Sequence, residues 1–511
     1  MIKEFLQLFM ILTEELLTNR LILENVQGLG SAKKIYSELS EEDKKVIRKV
    51  IKEISPDNVE QEIFIESFFL TEFGDFEYGK YILNNLLDCS FSPTRLSNYY
   101  FQLMRRCFIL GESFSYEKRI TVFERLVSTV KSQINYQLDY IPYENRNSRC
   151  IVFLIAPFLG IFHAPSRMIF NLAHFYKKLG YRVSIFTTND VSIAKSESSY
   201  WYNPTYLYNM YEGMVSTTYS YENVEVEVFN MNITPDKMVV ELSACVEYLH
   251  QLNPEYIVVS EGANVLGELC QDFTEVVYMN MVDSLPVTSS PYVIRYFTGD
   301  MPFEYKRNAE LYGKKVFSMP YNNEILPQIE EETEIVLPED KFIIVVMGNR
   351  LDMEIDSRVL EIIHKMISKY AGADWAFIGD CPKIRKSLEN ISERCHFLGY
   401  VEDCNRVLEK CSVFFNPKRQ GGGGGSWMAL KAGLPVLTLP NCDVASIVGK
   451  DFIYDSYDEF EEAIDRYVID KDFYSLMKKK ALDTYEKIEK IDSLGNIKRF
   501  TETIEKELKG C

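Results

Sequence analysis

From its first residue to about residue 147 the chain sets apolar side chains three and four positions apart. Ile2, Phe5, Leu6, Phe9, Leu12 and Leu16 form one such series. Phe64, Phe68 and Phe69 form another, and Tyr99, Leu103 and Cys107 a third. Residues so spaced lie on one face of a helix. Glycine is sparse and β-branched alternation is absent, so the pattern predicts a helical domain over residues 1–147. The polar, turn-rich segment PYENRNSR, Pro142 to Arg149, reads as a linker.

At Cys150 the period changes. Ile151 to Ala156 is an unbroken apolar run, as expected of a parallel strand covered on both faces. The loop PFLGIFHAPS follows, then a predicted helix from Ser166 to about Leu179, ended by Gly180, and a second strand over Arg182–Thr187. Further strands are predicted at Val224–Val228, Tyr256–Ser260 and Val276–Met279, with a helix over Met238–Leu252. The pattern predicts an α/β domain over residues 150–320. The acidic stretch 321–340 carries two prolines and reads as a hinge. A second α/β domain is expected over residues 341–490, with strands at Phe342–Met347, Trp375–Ile378 and His396–Leu398 and helices at Ser357–Lys369 and Cys404–Lys410. Residues 491–511 read as a C-terminal helix.

One stretch within that second domain carries the chemistry: CSVFFNPKRQGGGGGSWMALKAGLPVLTLP, residues 411–440. It reads as strand (Ser412–Phe415), basic turn, five glycines, helix and strand (Pro435–Leu439). Ser426 stands where a helix cap would. Glycines lack a Cβ, so an anion can approach the main chain closely, and the first N–H groups of the helix point at it. Gly422, Gly423, Gly424, Gly425 and Ser426 are therefore the expected phosphate cradle, with Lys418 beside it to neutralise charge and Arg419 turned outward.

Composition narrows the classes. With 56 basic against 75 acidic residues the net charge is −19, which argues against nucleic acid as a partner. Eleven cysteines without CxxC pairs indicate reduced thiols and a cytoplasmic protein. The apolar N-terminus is interrupted by Glu14 and Glu15, so no transmembrane segment is expected. Asp300 and Asp352 stand singly, no DxD motif ends a strand, and no metal is expected.

Two Rossmann-like halves with the phosphate loop in the second resemble GT-B glycosyltransferases. The resemblance is sharpest in HFLGYVEDCNRVLEKCSVFFNPKRQGGGGGSWMALKAGLPVLTLP. It is nearer to the O-GlcNAc-transferase and bacterial protein N-glycosyltransferase branch than to the large retaining family with an E-x7-E signature. Gln420 and Met428 stand where that signature has its glutamates, and Asp443 is a candidate ribose partner in their place. The resemblance implies two α/β domains facing across a cleft behind the helical domain. It implies a nucleotide-sugar co-substrate, a UDP-sugar by preference, and no other cofactor. It also implies a base site at Gly399–Val401, with Tyr400 and Val401, and diphosphate contact by Arg350. The acceptor would be a protein or a surface glycan, and the helical domain would recognise it or mediate assembly. His163, in the loop after the first strand of the first α/β domain, is the candidate base, since its ordinary pKa suits proton abstraction near neutrality. Glu261 is its competitor, and Asp283 a further acid at that cleft. A non-catalytic GT-B paralogue that binds acceptor or partner, and a sugar-nucleotide epimerase, are the alternative functions.

Overall fold

A computed structural model describes residues 1–19, 29–54, 58–136, 138–156, 158, 163–188, 216–221, 224–231, 237–322, 337–440 and 442–510. Most of the hinge read at 321–340, and most of the loop before His163, lie outside these residues.

The first part of the chain is helical, as its spacing predicts. Its helices are α1 (Ile2–Asn19), α2 (Leu29–Glu38), α3 (Glu41–Ile54) and α4 (Val59–Glu72). There follow α5 (Phe76–Asp88), α6 (Pro93–Leu110) and α7 (Tyr116–Lys131). Asn58, Asp75, Ser92 and Ser115 cap α4 to α7 by accepting from main-chain amides of the first turn. Gly111 ends α6 at φ 66°, a conformation that only glycine adopts at little cost.

The first α/β lobe begins with β1 (Asn147–Ile155), α8 (Ala164–Lys178), β2 (Arg182–Thr187), β3 (Ser216–Tyr221) and β4 (Val224–Asn230). It continues through α9 (Met238–Leu252), β5 (Pro254–Ser260), α10 (Val265–Cys270) and β6 (Val276–Met279). β7 (Tyr292–Arg295), α11 (Phe303–Leu311) and β8 (Lys315–Ser318) complete it. The sheet order is β3-β4-β2-β1-β5-β6-β7-β8, parallel except for the antiparallel β3–β4 edge. β1 alternates its side chains between two cores. Val152 and Leu154 face the side of α9, α10 and the helical domain, while Ile151, Phe153 and Ile155 face α8. The helical domain thus shares one core with this lobe, where Tyr116 Oη donates to the Pro286 carbonyl at 3.0 Å.

The expected linker is welded in place. Arg146 is buried, paired with Glu275 and donating to the Glu255 carbonyl at 3.1 Å, and β1 already begins at Asn147. A polar run reads as a loop, but here its charge is matched from the sheet.

The second lobe runs β9 (Phe342–Met347), α12 (Leu351–Glu354), α13 (Ser357–Lys369), β10 (Ala373–Ile378), α14 (Pro382–Ser387) and β11 (Cys395–Gly399). It goes on through α15 (Cys404–Leu408), β12 (Val413–Phe415), α16 (Gly423–Lys431), β13 (Val436–Leu437) and α17 (Asp443–Val448). Helices α18 (Tyr457–Ile469) and α19 (Lys471–Glu489) follow, and α20 (Ser493–Leu508) ends the chain. The order β11-β10-β9-β12-β13 is wholly parallel. α20 crosses back and buries Ile497, Phe500 and Ile504 against the first lobe.

In such sheets ligands bind at the carboxyl ends of the strands, where the winding reverses. In the first lobe the reversal lies between β1 and β5, whose following loops carry His163 and Glu261. In the second it lies between β9 and β12, whose loops carry Arg350 and the glycines.

Candidate functional site

The glycine segment does not end at a serine cap. Gly421 and Gly422 turn the chain at φ 85° and 89°, Gly422 is the cap, and α16 starts at Gly423. Ser426 lies within the helix, buried, and its hydroxyl donates to the Gly423 carbonyl at 2.8 Å rather than to a ligand. Sequence reasoning placed the start four residues late because glycine is a poor helix former and serine a good cap.

Two of the five glycines are required by their backbone conformation, and two more are crowded by side chains. Gly421 and Gly422 have the positive φ just given. A Cβ on Gly423 would lie 2.7 Å from Ile447 Cδ1, and one on Gly425 2.7 Å from Met347 Cε. Gly424 differs: its φ is not positive, it is exposed, and a Cβ there would meet nothing within 4 Å. The protein leaves that space at the helix N-terminus open.

Beneath the loop lies Arg419, only 5% exposed and so turned inward, contrary to expectation. Its Nε donates to Asn416 Oδ1 at 2.7 Å, and its Nη1 to the Met347 carbonyl at 2.8 Å and to Glu354 Oε2 at 3.0 Å. Its Nη2 is buried with no hydrogen-bond partner among the described residues. A Cβ on Gly422 would stand 3.0 Å from that nitrogen, so the unused donor lies directly under the loop. Asn416 is fixed in turn, donating to Thr438 Oγ1 at 3.0 Å. Glu354 also pairs with Arg350 at 2.8 Å, so one buried carboxylate serves two guanidiniums and a positive charge is left over.

Arg350 braces the loop. Its Nη2 donates to the Gln420 carbonyl at 2.9 Å, and the Phe108 ring of α6 lies 4.7 Å from its guanidinium carbon. Lys418 faces away from the glycines. Its Nζ reaches Glu112 Oε1 of the helical domain at 3.4 Å, while its amide donates to Tyr457 Oη at 2.8 Å. Met428 is half-buried and packs against the second lobe's core.

The expected base site has less free backbone than its glycine suggests. The Gly399 carbonyl accepts from the Gly379 amide at 2.7 Å, and the Val401 carbonyl from Cys404 Sγ at 3.2 Å. Tyr400 is 64% exposed, and Arg167 on α8 opposes the upward push of burial on its hydroxyl. The Tyr400 hydroxyl therefore lies near enough to Arg167, in the first turn of α8, to feel its charge.

On the first lobe His163 immediately precedes α8, with Nδ1 2.9 Å from Ser166 Oγ. Burial, helped by the nearby Arg167 charge, pushes its pKa down to about 4, so the ring is neutral at pH 7. Glu261 follows β5 at φ 149° and Ala263 at φ 61°. A Cβ on the intervening Gly262 would come 2.5 Å from the Val287 amide nitrogen. Positive φ at two non-glycine residues marks a strained loop held by its surroundings, at the place where the first lobe would meet a ligand.

Asp443 does not stand free for a ribose. It is buried, with one oxygen accepting from the Gly421 amide at 2.8 Å and the other from the Asp283 amide of the first lobe at 3.0 Å. Asp283 is engaged too, held by Arg295 at 2.8 and 2.6 Å. Sequence reasoning missed the roles of Arg419, Glu354 and Asn416, because only the fold brings Glu354 within reach of a turn 65 residues later. Among the described residues no three His, Cys, Asp or Glu side chains form a metal-ligand group. No described helix is long and apolar enough to cross a membrane, and ten described cysteines are free thiols.

Residues 342–470 match the family model described as Glycosyl transferases group 1. An O-GlcNAc transferase from Thermobaculum terrenum superposes with a TM-score of 0.55 at 12% identity, over 95% of this chain and 99% of that one. WaaG, a glycosyltransferase involved in lipopolysaccharide biosynthesis, gives 0.46 at 14% identity over 71% of this chain and 100% of that one. An E. coli trehalose-6-phosphate structure bound with UDP-2-fluoro glucose gives 0.48 at 10% identity over 70% and 99%. No curated protein matches in sequence. The first likeness is one of fold: two Rossmann-like lobes behind a helical N-terminal region, the GT-B architecture.

Proposed function

We propose that this chain is a glycosyltransferase that takes a hexose from a UDP-sugar and delivers it to a protein or surface-glycan acceptor without a metal ion. The observation that carries the reading is Gly424. It is the one glycine of the run with neither a positive φ nor a neighbour within 4 Å of a Cβ, and it leaves the helix N-terminus open close to Gly422, under which Arg419 Nη2 lies buried and unpartnered. An anion accepting from those donors would satisfy both.

In this reading the diphosphate rests on the amides of Gly423 and Gly424 and draws on Arg419 and Arg350, while the Gly425 amide donates to the Gly422 carbonyl at 3.1 Å and Gly425 serves by its lack of a side chain. The base lies toward Tyr400 and Val401. As the acceptor hydroxyl forms its bond to the anomeric carbon, the bond from that carbon to the diphosphate oxygen breaks. Charge then grows on the leaving group, which the fixed amides and guanidiniums stabilise without reorganising. The acceptor's proton goes to His163 Nε2. In the tautomer with Nδ1–H donating to Ser166, that nitrogen keeps its lone pair; the pKa of about 4 keeps it unprotonated at working pH but makes it a weaker base than the ordinary imidazole expected from the sequence. Glu261 is the alternative base.

A second reading, donor or acceptor binding without turnover, is favoured by Gln420 and Met428. Neither offers a carboxylate, and Asp443 is already occupied by two amides. A melting screen against UDP, GDP and CDP sugars separates these readings. Ligand at a hundred times its Kd stabilises by about 2.7 kcal/mol. UDP-sugar stabilisation with release of UDP in the presence of acceptor supports transfer. Stabilisation by nucleotide without turnover supports donor binding alone, release of an epimerised sugar without acceptor supports an epimerase, and no nucleotide effect in a folded protein sinks transfer and epimerisation and leaves acceptor binding without turnover.

A further inference from the structure

Asp443 opens α17 and is 8% exposed. Its two carboxylate oxygens accept from amides on opposite lobes: Gly421, at the mouth of the glycine loop, and Asp283, after β6. The surroundings on the first-lobe side are rigid. Arg295 grips the Asp283 carboxylate through Nε and Nη2, and also donates to the carbonyls of Phe297, Gly299 and Asp300 at 3.1, 2.9 and 3.1 Å. Gly299 presses on α17 so closely that a Cβ would lie 2.5 Å from the Ser446 carbonyl oxygen. The loop that opens α16 and the platform of the first lobe are therefore joined through one side chain.

We propose that Asp443 is a positioning residue, a latch that couples the spacing of the two lobes to the conformation of the glycine loop; its bearing on donor binding rests on the function proposed above. When the lobes part, the Asp283 amide leaves the carboxylate. The carboxylate then gains water, and its hold on Gly421 becomes exchangeable. When they close, the same group fixes the loop with its remaining amides outward. A buried amide rarely goes without a partner, so the two contacts form and break together.

The latch is sensitive to protonation. Asp443 faces the Asp283 carboxylate, the Arg350 guanidinium and the Tyr296 hydroxyl. Burial, joined by Asp283, raises its pKa, the two amides and Arg350 lower it, and the result is about 6. A protonated carboxyl keeps one good acceptor oxygen, so as pH falls through that value the carboxyl can no longer hold both amides and, in a latch whose two contacts form and break together, both loosen.

Hydrogen–deuterium exchange on the full chain tests this without assuming any activity. At pH 7.5, Asp443→Asn and Asp443→Ala are expected to speed exchange about tenfold or more in the peptides bearing Gly421 and Asp283 together. Peptides from β9 and β10 should be unchanged, which checks folding. Wild type should show the same joint loosening between pH 7.5 and 5.5 after correction for intrinsic rates, and Asp443→Asn should not. Loosening of one peptide alone, or a wild type indifferent to pH, overturns the latch. UDP titrated in parallel keeps the two ideas apart. Joint loosening in a protein that ignores UDP leaves the latch standing and removes the donor reading, while UDP binding without joint loosening does the reverse.

Discussion

Replacing Gly424 by leucine should move stability and donor binding in opposite directions. A side chain at this position meets nothing within 4 Å, and no positive φ has to be maintained. In the unliganded protein the change removes a flexible residue from a helix, worth about 0.5–1 kcal/mol of stability. For a lobe of about 150–250 residues that raises the melting temperature by roughly 1–4 °C. For an anion resting on the start of α16 the same side chain fills the approach. Losing one or two charge-assisted hydrogen bonds costs about 1.5–3 kcal/mol each. UDP affinity should fall at least tenfold and approach a hundredfold or more.

The assay is a pair of measurements on one preparation: melting temperature without ligand, and UDP affinity by calorimetry. Two neighbours serve as controls of opposite sign. Gly422→Ala must hold φ 89° with its Cβ 2.8 Å from Arg419 Nε, and Gly425→Ala must shift the end of Met347 and press to 3.3 Å on the buried Phe414 ring. Both should destabilise the unliganded protein. If Gly424→Leu is more stable yet binds UDP within twofold of wild type, the amides of α16 carry no phosphate. If it is less stable, the space at Gly424 is not open and the argument fails at its first step.

Three further outcomes follow from the site. Arg419→Met should cost about 3–5 kcal/mol in urea unfolding, because it takes a partner from buried Glu354 and leaves the Met347 carbonyl and Asn416 unserved. Adding Glu354→Gln should recover part of the loss, and a single-variant cost under about 1 kcal/mol would refute the buried role. His163, held near 4 in the fold against about 6.5 unfolded, contributes stability that is fully present above 6.5 and lost as pH falls from there toward 4. Melting temperature between pH 7.5 and 4.5 should therefore fall less steeply in His163→Gln, and equal slopes would contradict the depressed pKa. Phe108→Ala should show about 0.5–2 kcal/mol of coupling to Arg350→Met in a double-mutant cycle, and zero coupling would mean that the helical domain does not bear on the loop.

The parallel strands were legible because a strand covered on both faces must be apolar throughout. β2, β6 and β9 fall on their expected residues. β3 was not legible: STTYSY is an edge strand, polar by composition, and only its pairing with β4 defines it. The separation of helical domain and first lobe was overstated, because sequence shows a change of period but not that Leu126 and Leu266 line one core. Lys418 and Arg419 exchanged their expected roles. Consecutive residues in an extended turn point opposite ways, and which one turns inward is decided by Glu354, distant in sequence and near only in the fold.

The site's charge argues that it is built before any ligand arrives. The chain carries a net charge of −19, so a diffuse field would repel a nucleotide diphosphate. What favours one is local: two guanidiniums share the single carboxylate of Glu354, and the excess charge lies under amides that point the same way. Each member is fixed by something other than a donor. Arg350 is held by Phe108 and the Gln420 carbonyl, Arg419 by Asn416 and Met347, and Gly421 by Asp443. Those anchors come from the helical domain, the second lobe itself and, through Asp443, the first lobe. A site whose donors are already immobilised loses little entropy when an anion binds. On the proposed function the helical domain braces the donor site through Phe108, and Phe108→Ala should weaken UDP binding even though Phe108 is not expected to touch the nucleotide.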